Sequence, residues 1–462
     1  MTYPKSLETL VLSKGIKRWQ SKCDLGYKKI EIKLKIFKVM EFRKGYCAKV
    51  DDKFSIHIAE DTDDELEAII KLNMEVHQDE VLKTFIRQIF LEYPRKSEIL
   101  WLYIEDDKEN ELVSSICLVP LEWQIEDTRL SVCEMEFVGT LEPYRRKGLI
   151  KILNRLYETI MDQNDYILSV ITGIPYFYRT LGYEFVSSLD DRISIEASKI
   201  PNKKYENVNI RKANSKDIPF IASKYTQFHR NFYIFNMFDP ECFKFKYLQD
   251  QFNSEVRTTY IFEEASVPIN YFSFGRSYDS QIFEIYSPDL NKIEIITLLQ
   301  FVKTIGNYNE NDIITLSVSE HLPLYYYIIS LGGTPVSTYG WQIKIPNLVK
   351  FFDLIKKIIE NRVNYSKYKG LTKAIRISNY EDTIELDFNN GKIENIEIEK
   401  EYQNPKPTDL SIPGALLYKL LLGDRTIDEI NYIIKDALVN ISSKSLIETI
   451  FPKKKSLFGS YI

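Results

Sequence analysis

The chain has 462 residues, of which 44% are hydrophobic, so it can form the cores of about three domains and is not a disordered protein. Its formal net charge of -5 is too small to favour a nucleic-acid partner for the whole chain. The charge is uneven, because the first 50 residues hold 13 Lys or Arg against four Asp or Glu.

The basic N-terminal segment is expected to be the solvated face of a strand. Lys33 and Lys35 alternate with apolar residues over residues 30–37, which is typical of a strand with one polar side. A basic arm that binds nucleic acid or anionic lipid is the alternative that this charge leaves open. Residues 1–52 are therefore treated as an N-terminal extension without an assigned fold.

Targeting and redox features favour a cytoplasmic protein. No apolar run approaches the roughly 18 residues that span a membrane, and the first residues lack the apolar core of a signal peptide. The five cysteines form no Cys-x-x-Cys pair, and the four histidines show no metal-ligand spacing. The sequence thus predicts no membrane anchor, no disulfide framework and no metal site.

Residues 53–204 are predicted to form a first α/β domain. Alternating strand and helix patterns are typical of this class. One helix face is indicated by the spacing of Leu149, Leu153, Leu156 and Ile160. Strands are expected at residues 54–58, 99–104, 112–119, 132–138, 166–171 and 183–186, and helices from 61–64 through Leu72, at 149–160 and at 176–181.

Residues 205–346 are predicted to form a second α/β domain that repeats the first. The segment at 175–185 resembles the segment at 325–335, with Leu-Gly pairs at equivalent positions. This repeat aligns Ile328 with Tyr178, so we expect the second domain to be structural or to shape a substrate pocket. Strands are expected from Ile210 and at 258–262, 282–286 and 313–318, with helices from 214–217 and at 292–305.

Residues 347–462 are predicted to form a third, α+β domain. The residues Asn389-Asn390-Gly391 between two strand patterns are a strong signal for a tight hairpin. A helix is expected at 348–363, strands at 373–377, 383–388 and 392–398, and closing helices at 415–422, 427–434 and 443–450.

One short stretch carries most of the functional information. A strand ends near Val138, three basic residues follow at 145–147, and Gly148 precedes an amphipathic helix. Backbone N–H groups, fixed positive charge and the positive end of a helix dipole therefore meet at one point, which suits a bound pyrophosphate. Gly148 also has no side chain to keep a phosphate away from the backbone.

This stretch resembles the GNAT acetyltransferase superfamily, whose motif is Arg/Gln-x-x-Gly-x-Gly/Ala at the start of the cofactor helix. Ile150 stands where the superfamily commonly has a small residue. That departure is similar to the Eis-like branch, in which a Val-Gly-x strand end precedes three basic residues, Gly and two apolar residues. Residues 138–140 and 145–150 fit this pattern.

A second element supports the resemblance. Residues 177–183 resemble the superfamily's Phe-Tyr-x-x-x-Gly-Phe/Tyr element, which places the family tyrosine at Tyr178, while Tyr176 and Tyr183 are expected to be packing residues. Eis-like proteins carry a catalytic GNAT domain, a degenerate second one and a sterol-carrier-protein-like C-terminal domain. The resemblance therefore implies tandem GNAT-type domains, each a mixed sheet with helices on both faces, followed by a sterol-carrier-like α+β domain.

The resemblance also implies a direct transfer from acetyl-CoA to an amine. No enzyme nucleophile is needed, so Cys133 is expected to be a core residue. Tyr178 would stabilise or protonate the departing thiolate. The residues expected at the cofactor are the backbone near Val138 and Thr140 for the pantetheine arm, and Arg145, Arg146, Lys147, Gly148, Leu149 and Ile150 for the pyrophosphate.

The general base has three candidates. In Eis-like enzymes the terminal carboxylate reaches the active site, which implies Ile462 here, and the aromatic tail beyond Lys455 suits docking. Glu136 is the second choice and Glu134 a further candidate, because both lie on one side of the strand that ends near Val138.

The sequence thus predicts an acetyl-CoA-dependent N-acetyltransferase that acts on a small-molecule or peptide amine. The alternative is a non-catalytic acyl-CoA or lipid-binding module whose third domain holds an apolar ligand. The resemblance suggests polyamines, aminoglycosides or peptide lysines as acceptors. Members of the family often assemble, so a homo-oligomer is an open alternative to a monomer. None of these is readable from the residues themselves.

Overall fold

The computed structural model describes residues 42–188, 191–249, 255–277, 282–336, 339–400 and 407–460. The basic residues at 30–37 lie outside these ranges, and so does Ile462. The described chain forms three mixed β-sheets with helices packed on them. This arrangement confirms the predicted fold class of α/β and α+β, with mixed sheets and helices packed on them.

Residues 42–188 provide most of the first sheet. The strands are β1 (Cys47–Lys49), β2 (Phe54–Ile58), β3 (Leu100–Asp106), β4 (Glu111–Ile125), β5 (Thr128–Thr140), β6 (Leu168–Ile171) and β7 (Glu184–Ser188), and the helices are α1 (Asp63–His77), α2 (Val81–Leu91) and α3 (Leu149–Gln163). Helix α1 begins after Thr62, whose hydroxyl accepts from the Glu65 N–H while the Glu65 carboxylate accepts from the Thr62 N–H. Helices α1 and α3 cover opposite faces of this sheet.

Within the described chain, residues 191–336 provide the seven strands of the second sheet and one strand of the first. The strands are β8 (Arg192–Glu196), β9 (Val208–Lys212), β10 (Ile234–Asn236), β11 (Glu255–Glu264), β12 (Val267–Ser277), β13 (Ile282–Tyr286), β14 (Ile313–Ser317) and β15 (Thr334–Val336). The helices are α4 (Ile218–His229), α5 (Pro240–Tyr247), α6 (Lys292–Ile305) and α7 (Pro323–Ser330). Strand β10 leaves this group and pairs with β4 of the first sheet.

Residues 339–460 supply one strand to the first sheet and then build the third. The strands are β16 (Gly340–Lys344), β17 (Lys373–Ser378), β18 (Asp382–Asn389), β19 (Lys392–Lys400), β20 (Leu410–Ser411) and β21 (Leu438–Val439), and the helices are α8 (Leu348–Asn364), α9 (Leu417–Leu421), α10 (Ile427–Ile433) and α11 (Lys444–Ile450). The predicted hairpin joins β18 to β19, and its two central residues, Asn390 and Gly391, both have positive φ.

The first two sheets share one strand order and exchange one strand. The first runs β1-β2-β3-β4-β5-β6-β16-β7, and the second runs β15-β8-β14-β13-β12-β11-β9. Each contains one parallel pair joined through a helix, β5–β6 through α3 and β13–β14 through α6. Strand β16 lies between β6 and β7, while β8 lies between β14 and β15. The exchanged strands cross the boundary predicted at residues 204–205.

The first and third sheets share an apolar core. One apolar cluster joins β4, β5 and β6 of the first sheet to α8 and the third sheet, with Trp123, Val132 and Phe351 among its fully buried members. Within the described ranges, none of the helices has the length and apolar character needed to cross a membrane. No group of three or more His, Cys, Asp or Glu among those residues could hold a metal ion.

Candidate functional site

The two parallel strands of the first sheet separate at their carboxyl ends. Strands β5 and β6 pair only from Val132 to Glu134 on the β5 side, whereas β5 continues to Thr140. A β-bulge lies in this extension, because Phe137 and Val138 together face Ile116 of β4. Phe137 takes a left-handed φ of 49°, and its carbonyl accepts from the Ser115 hydroxyl at 3.0 Å. A gap therefore opens between β5 and β6.

The turn that follows β5 leaves the start of α3 open. Gly148 precedes the helix with φ of 80°, and no side chain caps this end. A Cβ built on Gly148 meets nothing within 4 Å. The Ile152 N–H donates to the Gly148 carbonyl at 3.2 Å, so the N–H groups of Leu149 and Ile150 have no intrahelical acceptor. Three exposed basic residues precede this open end, namely Arg145, Arg146 and Lys147.

Side chains below the turn fix its shape. The Tyr144 hydroxyl donates to Asp106 at 2.9 Å, and the Lys53 ammonium lies 2.9 Å from the same carboxylate. Lys147 lies over the Tyr144 ring at 4.5 Å, and Arg145 Nε donates to the Thr140 carbonyl at 3.2 Å. These contacts preorganise the turn before any ligand arrives, which reduces the entropy cost of binding.

The equivalent helix of the second sheet, α6, has a capped N-terminus. At the start of α6, the Asn291 side chain accepts from the N–H groups of Ile293 and Glu294 at 2.9 and 3.0 Å. The Glu294 carboxylate accepts from the Asn291 N–H at 2.9 Å and adds negative charge to this end. Because the donors are satisfied and the local charge is negative, this end is unsuited to an anion.

Tyr178 lies beside the gap in the first sheet. It belongs to the short 3-10 turn Phe177–Leu181 and is 5% exposed. Its ring packs against Gly173 so closely that a Cβ there would lie 1.9 Å from Tyr178 Cε2. Burial, with smaller contributions from Glu136 and Tyr339, raises the pKa of the Tyr178 hydroxyl. At neutral pH the hydroxyl is therefore protonated and able to donate.

The neighbouring tyrosines behave differently from each other. Tyr183 is buried, as predicted, and its hydroxyl hydrogen-bonds with Ser169 at 2.6 Å. The prediction that Tyr176 is a packing residue is wrong, because its side chain is 73% exposed. The left-handed φ of 68° at Tyr176, directly after Pro175, turns the chain outward before the 3-10 turn. Ile328 in α7 is fully buried.

Two carboxyl groups face a cavity from β5. Glu134 and Glu136 both line a space of about 280 Å³. Cys133 belongs to the apolar cluster on the other face of β5 and is fully buried, as predicted. Glu134 is 2% exposed, whereas Glu136 keeps part of its surface open. Burial raises the pKa of both carboxyl groups, and the neighbouring charge of Glu134 raises the pKa of Glu136 further. Such a pair shares one proton, since two adjacent buried carboxylates repel each other.

The opposite wall of this cavity comes from the second sheet and its helices. Aromatic rings dominate that wall, and charged groups are interspersed among them. The aromatic residues are Tyr225, Phe243, Tyr247, Tyr271 and Tyr286, and the charged ones include Asp191, Lys246, Arg257 and Glu284. The cavity is therefore a chamber between the two sheets, with Glu134 and Glu136 on the first-sheet side.

The C-terminal tail, residues 455–460, enters this chamber. The Leu457 N–H donates to the Ile234 carbonyl at 2.8 Å. Phe458 stacks on Trp123 with ring centroids 4.8 Å apart, and Trp123 Nε1 donates to the Gly459 carbonyl at 3.0 Å. The Ser460 hydroxyl donates to Glu134. The tail thus ends, within the described residues, at the carboxylate pair.

The structure brings together several of the predicted site residues. Tyr178 and Glu136 are close enough to interact electrostatically, and the Gly148 turn follows the same strand that carries Glu136. Sequence reasoning missed Lys246, which donates to the Ser460 carbonyl at 3.0 Å, and Trp123, which holds the tail. The aromatic character of the tail was the available signal for its docking.

Comparison with known proteins gives the class of this site. Residues 57–186 match the family model described as "Acetyltransferase (GNAT) domain", a range that includes β5, the Gly148 turn and Tyr178. The protein is therefore an acyltransferase, and the part of its first sheet within residues 57–186 matches a GNAT acetyltransferase domain. No curated protein matches the sequence.

Solved structures share the fold over nearly their whole length. A GCN5-related N-acetyltransferase from Anabaena variabilis has 15% identity and a TM-score of 0.64, covering 87% of this chain and 99% of its own. An Enterococcus faecalis protein described as a "Probable N-Acyltransferase" has 13% identity and a TM-score of 0.65, covering 88% and 99%. Eis1 from Mycobacterium abscessus has 11% identity and a TM-score of 0.58, also covering 88% and 99%.

Proposed function

We propose that the first domain binds acetyl-CoA and transfers its acetyl group to the nitrogen of an amine acceptor. The observation that carries this proposal is the uncapped start of α3 at Gly148, beside the gap between β5 and β6. Uncapped N–H groups and three cations at this turn suit a pyrophosphate. The capped start of α6 explains why the second sheet would not bind a second cofactor.

The gap between the strands would hold the pantetheine arm. Beyond Glu134, the edge of β5 that faces β6 has no pairing strand among the described residues. Backbone groups near Val138 and Thr140 are then available to the amides of an extended ligand, as in strand addition. An N–H at the bulge would also polarise the thioester carbonyl, where negative charge develops during attack.

Tyr178 is proposed to protonate the leaving group. The amine nitrogen attacks the thioester carbon, the carbon–sulfur bond breaks, and the sulfur takes a proton from the Tyr178 hydroxyl. The nitrogen loses a second proton as the amide forms, and this proton restores the Tyr178 hydroxyl. Its raised pKa keeps that proton in place until the thiolate forms. Because Gly173 sets the ring position, the hydroxyl would be held near the end of the gap.

The proton released by the acceptor ammonium would go to a carboxylate in the chamber. The Glu134–Glu136 pair, holding one shared proton, can accept one more. The terminal carboxylate of Ile462 remains our first choice, since the tail is anchored as far as Ser460 beside that pair. Glu136 is the second choice for two reasons. It is the more exposed of the two glutamates, and its charge acts on the Tyr178 hydroxyl.

The chamber between the two sheets is proposed as the acceptor site. Its aromatic wall and carboxyl groups suit the apolar body and the cationic head of an amine. A non-catalytic binding module would not need a buried carboxyl pair beside a buried tyrosine, whereas acid–base chemistry does. The Eis-like branch, the sterol-carrier-like third domain, the cytoplasmic location and the homo-oligomer stay predictions.

Release of free CoA from acetyl-CoA in the presence of a panel of amines tests this function. Tyr178→Phe should lower kcat by about 100-fold or more while acetyl-CoA still binds. Tyr183→Phe is the matched control, because it removes a neighbouring buried hydroxyl that bonds to Ser169 and should leave kcat nearly unchanged. Acetyl-CoA binding without CoA release for any amine would instead favour the binding-module alternative.

A further inference from the structure

Lys246 is a buried lysine on the chamber wall that the proposed chemistry does not yet use. It lies in α5, is 5% exposed, and is flanked by the buried residues Phe245 and Tyr247. Burying an ammonium is costly unless charged or polar partners compensate for its lost hydration. Burial of the Lys246 ammonium therefore lowers the stability of the fold unless the groups around it in the chamber compensate.

The contacts of Lys246 lead to the tail and to the carboxyl pair. Its ammonium donates to the Ser460 carbonyl at 3.0 Å, and the Ser460 hydroxyl donates to Glu134. The same residue of the tail thus joins the lysine of one domain to the glutamate of the other. Lys246 also acts electrostatically on both Glu134 and Glu136 and favours their ionised forms.

We propose that Lys246 is a positioning residue of the acyl-transfer site, which holds the C-terminal tail through Ser460 and supplies the counter-charge that keeps the Glu134–Glu136 pair singly ionised. This gives the second domain, which lacks its own anion-binding turn, a defined role in the chemistry of the first. The effect of Lys246 on catalysis rests on the proposed function. Its contact with the tail does not, because the hydrogen bond to Ser460 is observed directly.

The expected pH dependence follows from the groups around the pair. An opposite charge lowers a carboxyl pKa, so removing the ammonium should raise the apparent pKa of the pair and move the acidic limb of the rate profile to higher pH. The other charged or titratable groups that act on the pair or line the chamber are Tyr93, Cys117, Tyr157, Tyr178, Asp191, Tyr225, His229, Tyr247, Arg257, Tyr271, Glu284, Tyr286 and His321. Burial lowers the pKa of both histidines, so they add little positive charge near neutral pH.

The test compares Lys246→Gln with Lys244→Gln. Lys244 lies on the same helix and pairs with Glu241 at 2.6 Å, so its replacement removes the same charge away from the tail. In Lys246→Gln we expect the acidic limb of kcat/KM to move up by about one pH unit, with an unchanged KM for acetyl-CoA. Lys244→Gln should match the wild type, and Lys246→Arg should restore most of the profile because it keeps the charge.

A second measurement does not need turnover. Carboxypeptidase Y should release the last residues about tenfold faster from Lys246→Gln than from the wild type, because one charged hydrogen bond to the tail is lost. An unshifted acidic limb together with wild-type carboxypeptidase resistance would overturn the inference, even if overall activity fell. If the wild type acetylates no amine, the proposed function fails separately, and the carboxypeptidase rates alone then decide whether Lys246 holds the tail.

Discussion

Replacing Phe458 by alanine should weaken the docking of the tail in the chamber. The ring stacks on Trp123 at 4.8 Å and 19°, and such pairs contribute about 0.5–1.5 kcal/mol beyond their buried area. Phe458 is half-buried, so its lost apolar contact adds about 1 kcal/mol, roughly half the value for a fully buried side chain. The total of about 2 kcal/mol lowers the ratio of docked to undocked tail about 30-fold.

Steady-state kinetics with the best amine of the panel would measure this effect. If the tail supplies the base, kcat/KM for the amine should fall up to about 30-fold, while the KM for acetyl-CoA stays unchanged because the Gly148 turn is untouched. Phe458→Tyr keeps the stacked ring and serves as the control. A loss of less than about twofold in Phe458→Ala, with the control normal and with carboxypeptidase Y showing that the tail is released, would refute the role of the tail.

Three further substitutions test separate parts of the site. Gly173→Ala should lower kcat, because the new methyl group would lie 1.9 Å from the Tyr178 ring and displace its hydroxyl; a normal kcat would mean that the ring position is unimportant. Asn291→Ala should cost about 1 kcal/mol in thermal unfolding and leave acetyl-CoA affinity unchanged, since it uncaps only α6. Glu136→Gln should impair turnover yet raise the melting temperature. Burial raises the pKa of Glu136 in the folded protein, so the native carboxyl group lowers stability once the pH rises above the pKa that this group has in the unfolded chain. The gain should be absent near about pH 4 and clear near about pH 8, and equal gains at both would contradict it.

Local features of the fold were predictable from the sequence. The Asn390–Gly391 hairpin follows from two residues that accept positive φ, and α3 follows from its apolar spacing. The Gly148 turn combines a strand end, a basic run and a glycine within a few residues, so its chemistry is visible without tertiary information. Helix α2 was missed although its apolar residues recur at helical spacing.

Long-range features were not predictable in the same way. The insertion of β16 between β6 and β7 depends on pairing between residues far apart in the chain, and a short apolar strand does not specify its partner. Lys246 lies in a helix whose alternating lysines suggest two exposed cations, yet packing on both sides buries one of them. The course of the tail similarly depends on Trp123 and Ile234, which are distant in sequence.

The central claim is that the turn at Gly148 binds the pyrophosphate of coenzyme A. Calorimetric titration with CoA and with pantetheine, which lacks the pyrophosphate, tests it most directly on the wild type, on Arg145→Ala/Arg146→Ala and on the control Lys292→Ala at the start of α6. The account predicts that CoA binds to the wild type and to the control with the same affinity. The double variant should bind CoA at least about tenfold more weakly, and the affinity for pantetheine should be the same in all three proteins. Equal CoA affinity in all three proteins, or no heat with CoA at all, would contradict it.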